Sequence, residues 1–130
     1  MKLYDALTHF PECKFDVVWR PFQLNPKMPK QGMERSSYLI NKFESKEKAN
    51  LVYNNIKKAG KLVNIHFQFD KIKITPNSFL SHKLLAYAHM KNKQSKVLES
   101  LFYQYFIEGK NIGDLETLML VAKQTKIFDS

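Results

Sequence analysis

At 130 residues the chain is the size of one domain and can bury a core, and 44% hydrophobic with 13% aromatic residues excludes general disorder. The net charge of +9 rests on 21 basic residues, of which only Arg20 and Arg35 are arginine, interspersed with Glu44, Glu47, Asp70, Glu99, Glu108, Asp114 and Glu116. Arginine's planar fork is what reads bases and phosphates bidentately, so this mixture describes a solvated lysine-rich surface rather than a specific nucleic-acid stripe.

No apolar run is long enough to cross a bilayer, and MKLYDALTHF has no continuous apolar stretch after a basic start. The expectation is a soluble, cytoplasmic protein with no membrane partner. The one cysteine, Cys13, excludes a CxxC pair, an intramolecular disulfide and a four-thiolate metal site within these residues. It is expected to be an ordinary thiol. His9, His66 and His89 share no metal-ligand spacing, and His82 with His89, seven apart, do not make a zinc site. No metal and no cofactor are expected.

In chain order, KLYDALTH at 2–9 carries Leu3, Tyr4, Ala6 and Leu7, a short helix that Pro11 ends. FDVVWR at 15–20 alternates, with Phe15, Val17 and Trp19 on one face, and reads as a strand that stops at Pro21. Val18 makes its second face partly apolar, so both faces call for neighbours. Pro21, Pro26 and Pro29 pin the following loop, and Gly32 relaxes it. The spacing of Tyr38, Leu39, Ile40 and Phe43 predicts a helix over 36–43. Ser45 is a predicted N-cap for a helix that carries Ala49, Val52, Tyr53 and Ile56 and ends at Gly60.

Residues 62–74, LVNIHFQFDKIKI, alternate as a strand does, and an extended link between helices would show the same pattern. After Pro76 the period is helical again, with Phe79, Leu80, Leu84, Tyr87 and Ala88 on one broad face. Val97, Leu98, Leu101, Phe102, Tyr105 and Phe106 recur as adjacent pairs, which predicts a core-packing helix closed by Gly109. Asp114 is the predicted cap of a last helix through Leu115, Leu118, Met119 and Ala122. A lone buried strand leaves backbone N–H and C=O groups unpaired, so either residues 62–74 or another chain must supply a neighbour.

Three segments, RPFQLNPKMPKQGM at 20–33, ITPNSFLSHKLLAYA at 74–88 and LFYQYFIEGKNIGDLETL at 101–118, together resemble the DsbA-like thioredoxin-fold oxidoreductases of the FrnE type. These are kin to the 2-hydroxychromene-2-carboxylate isomerases. The resemblance implies a mainly α chain, the helical insertion subdomain of a DsbA-like α/β thioredoxin fold, with one remaining strand and an incomplete sheet. Residues 1–35 would be the end of the active-site helix, a strand and the proline loop, and 36–130 the helical subdomain. The CxxC and cis-proline segments of the family would lie outside the chain, which would be a truncated or split gene product without independent redox activity. Glu44 stands where the family favours glycine.

The family borders its active-site groove with the loop after this strand, which implies groove positions at Phe22, Gln23, Asn25 and Pro26, and at Asn77 and His82 on the following helix. From the residues alone, Gln23 and Asn25 equally suit a turn between prolines, Asn77 suits a helix cap, and His82 suits a surface or satisfied core position. No catalytic residue is assigned. The partner expected is a complementing chain, or a second copy held through the exposed strand, the parent family acting on protein thiols and disulfides. Two other classes stay open: a small helical protein-interaction module, and a nonspecific polyanion binder whose affinity would fall steeply with salt.

Overall fold

The computed structural model describes residues 2–129 and is mainly helical. Helix α1 spans Lys2–Leu7. It runs out before Pro11 in a turn where the Thr8 hydroxyl donates to the Asp5 carbonyl (2.6 Å) and the His9 and Phe10 N–H groups donate to the Ala6 and Leu7 carbonyls. Residues 14–23 then run without regular secondary structure, so the strand expected at 15–20 does not form. The reason is the missing neighbour: a ladder needs a second backbone, and here a side chain does part of that work. The Trp19 N–H donates to Gln94 Oε1 (2.8 Å), and Gln94 Nε2 donates to the Trp19 carbonyl (2.9 Å). One buried amide thus satisfies both backbone groups as an adjacent strand would.

The strand pair lies elsewhere. β1 (Met33–Glu34) runs antiparallel to β2 (Ile74–Thr75), with Met33 opposite Thr75 and Glu34 opposite Ile74. Gly32 enters β1 at φ +82°, and a Cβ there would stand 2.6 Å from the Thr75 carbonyl oxygen. Of residues 62–74 only Ile74 enters the ladder; residues 65–68 are an irregular link and Phe69–Lys71 is a 3-10 turn. The alternation seen in sequence comes from aromatic packing, since Phe67 and Phe69 stack at 4.9 Å and both meet Phe106 edge-on.

Helices α2 (Arg35–Phe43) and α3 (Lys46–Lys61) form a hairpin. Ser45 caps α3 as its sequence predicts, accepting from the Lys48 N–H at 3.1 Å. Gly60 does not end α3. It is buried inside the last turn, where the Phe67 ring fills the space a Cβ would take.

Helices α4 (Phe79–Met90), α5 (Gln94–Phe102) and α6 (Leu115–Gln124) pack on one another. Ala88, Val97, Leu101, Leu118, Val121, Ala122 and Ile127 make the buried core between them. Asp114 sits at the N-cap of α6, but its side chain makes no capping bond. After Phe102 the α5 helix widens into a π-turn over Tyr103–Ile107, and Gly109 closes it at φ +70°.

Candidate substrate groove

The loop after Trp19, the start of α4 and the end of α5 enclose an open cavity of about 500 Å³. Arg20, Pro21, Phe22, Leu24 and Asn25 form one wall. Thr75, Pro76, Ser78, Ser81, His82 and Leu85 form the second, and Leu101, Phe102, Tyr105, Phe106 and Ile112 the third. The lining is chiefly apolar, with a few convergent polar groups, the usual character of a ligand site.

Phe22 and Leu24 lie at its mouth, 75% and 80% exposed. Asn25 Nδ2 reaches the Tyr38 hydroxyl at 3.5 Å across the same rim. His82 is half-buried on α4, and burial holds its imidazole below the ordinary value of 6.5. Burial thus favours its neutral form, in which one ring nitrogen donates and the other accepts.

Gln23, Pro26 and Asn77 line a separate groove beside the cavity, with Lys30, Phe79 and Gly113. Gln23 Nε2 donates to Asn77 Oδ1 (3.1 Å), the same oxygen accepts from the Phe79 N–H (3.0 Å), and Asn77 Nδ2 donates to the Met28 carbonyl (2.7 Å). Asn77 thus caps the entry to α4 and staples the proline loop to it. The groove residues named from sequence divide between the two sites: Phe22, Asn25 and His82 face the cavity, while Gln23, Pro26 and Asn77 hold and flank its wall.

Sequence reasoning missed Arg35. Its Nη1 donates to Thr75 Oγ1 (3.2 Å) and to the Tyr105 hydroxyl (3.3 Å), and its guanidinium lies 5.0 Å over the Tyr53 ring. The Tyr105 phenol is raised above its ordinary value by burial, which outweighs the opposing pull of Arg35. The available signal was composition, since a half-buried cation in a lysine-rich chain is most simply one of its two arginines. The aromatic spacing of α5 also divides differently from expectation. Val97, Leu98 and Leu101 enter the core, whereas Phe102, Tyr105 and Phe106 turn toward the cavity.

Cys13 is exposed in the turn after α1 and has no second cysteine to pair with. Among the described residues no group of three or more His, Cys, Asp or Glu side chains could hold a metal ion, and no helix is long and apolar enough to cross a membrane. The chemistry available to the cavity is recognition of an apolar or aromatic group beside hydrogen-bonding side chains and the guanidiniums of Arg20 and Arg35.

No curated protein matches the chain in sequence. The family model for the DSBA-like thioredoxin domain matches residues 2–129, which spans all three motif segments and every wall of the cavity. The chain belongs to the DSBA-like thioredoxin domain family.

Proposed function

We propose that the chain is the helical central part of a FrnE-type thiol–disulfide oxidoreductase, and that its cavity binds an unfolded segment of a substrate protein. One observation carries this reading: the motif segments 20–33, 74–88 and 101–118, far apart in sequence, converge on a single cavity. In this reading residues 1–35 are the remainder of the thioredoxin-like part and 36–130 the helical subdomain. Thiol–disulfide exchange needs an attacking thiolate and a second sulfur, and one exposed cysteine supplies no such pair. The chain therefore contributes recognition, and the redox pair of the parent comes from elsewhere. A cytoplasmic location belongs to the same proposal.

A reading as a helical interaction module uses the same cavity without the redox parentage, and the exposure of Phe22 and Leu24 at its mouth favours binding in either case. The only tryptophan, Trp19, lines the cavity and reports on it directly. Titration with reduced, alkylated insulin B chain is expected to give a saturable change in Trp19 emission that Phe22→Asp abolishes. An emission spectrum indifferent to the peptide at millimolar concentration would remove the binding role.

A further inference from the structure

We infer that the cavity selects acidic segments: it takes a stretch of substrate protein in which an Asp or Glu side chain stands beside an aromatic residue, with the carboxylate on Arg35 and the ring against the apolar walls. This rests on the reading that the cavity binds an unfolded segment, and it names what that segment must carry. Both arginines of the chain, Arg20 and Arg35, line this one cavity, while none of its lysines and none of its Asp or Glu residues does. All other cations of the chain's side chains at neutral pH are lysines, so the lining is sorted by cation type as well as by sign. A guanidinium is more weakly hydrated than an ammonium and presents a planar fork that matches a carboxylate. It is the cation suited to a partly dry site.

Neutral groups hold Arg35 in place. Its Nη1 donates to Thr75 Oγ1 (3.2 Å) and to the Tyr105 hydroxyl (3.3 Å), and its guanidinium lies 5.0 Å from the centre of the Tyr53 ring. These contacts orient the fork, yet none supplies a negative charge. Among the described residues Nε and Nη2 donate to no group, and the only ion pair joins Lys48 to Glu44. Asp70 and Lys57 share a second groove with Arg35, but Asp70 is exposed and forms no ion pair with it. A half-buried cation without a counter-ion carries a desolvation cost that a ligand carboxylate offsets. An ionised acceptor also holds the fork more strongly than an amide oxygen does. Arg20, exposed on the outer wall, attracts the same charge without fixing its position.

Trp19 lines the cavity and reports on its occupation. Two capped peptides, Gly-Ser-Phe-Glu-Phe-Ser-Gly and the same sequence with Gln for Glu, are titrated into the full chain at about 0.15 M salt, where exposed charges more than about 8 Å apart are largely screened. The Glu peptide is expected to bind about tenfold more tightly than the Gln peptide. Arg35→Gln should bring the two affinities together by weakening the Glu peptide alone. Lys58→Gln, which removes the same charge from an exposed position on α3, should leave the ratio unchanged. Arg35→Lys keeps a cation for the Tyr53 ring and stands in if circular dichroism shows Arg35→Gln unfolded; lacking the fork, it should lower the ratio to about threefold. Equal wild-type affinity for the two peptides would overturn the inference and leave the binding role standing, whereas no response to either at millimolar concentration would remove both. A ratio that survives substitution of Arg35, or that Lys58→Gln lowers as much, would also overturn it.

Discussion

At the scale of single residues, Gln94 and Glu34 do work that their types do not announce. Gln94 is 7% exposed and spends its amide on Trp19, with Nε2 also reaching the Leu85 carbonyl at 3.2 Å. Gln94→Leu keeps the volume and removes these partners. It is expected to lower unfolding free energy in urea by about 1–3 kcal/mol, the cost of unsatisfied half-buried backbone groups. Glu34 accepts from the hydroxyls and the N–H groups of Ser36 and Ser37, and these bonds, the Ser36 hydroxyl first, hold its carboxyl down at about 2. The folded value lies below the ordinary 4.5, so its stabilisation of α2 is complete above pH 4.5 and is lost as pH falls toward 2. Wild type should therefore lose stability across that window more steeply than Glu34→Gln, measured by thermal unfolding at successive pH values. Equal slopes would show that the cap has no energetic consequence.

At the scale of elements, Glu44 carries the backbone strain of the turn between α2 and α3. It ends α2 in the left-handed region at φ +69°, the position where glycine is cheapest. Its ion pair with Lys48 is exposed on both sides and offsets little of that strain. Glu44→Gly is expected to stabilise the chain by about 1 kcal/mol, read as a higher urea midpoint at unchanged slope. A lower midpoint would mean that the Lys48 contact outweighs the backbone. The helices were legible because 3.6-residue periodicity reports burial of one face, and Ser45 because a cap is a local bond. The strand at 15–20 was not, because pairing depends on a neighbour that no local pattern encodes. Residues 62–74 misled for the related reason that Phe67 and Phe69 alternate toward an aromatic cluster rather than across a sheet. Phe102, Tyr105 and Phe106 share the helical period of the core, yet with Leu98 and Leu101 they line the cavity, which runs along the same face of α5 and its π-turn.

At the scale of the molecule, the cavity walls come from segments some eighty residues apart, joined by the Gln23–Asn77 and Arg35–Tyr105 contacts. Phe22, Asn25 and His82, named from the resemblance, lie on the lining of this cavity. Arg35 could not be named from sequence, because its role depends on Thr75 and Tyr105 arriving from other elements. The proposed function assigns recognition to these residues and leaves redox chemistry, which needs a second sulfur, to another part of the parent protein. Insulin reduction by the purified chain with glutathione as the only reductant tests that separation most directly. The account predicts a rate equal to that of glutathione alone; faster reduction that Cys13→Ser abolishes would contradict it.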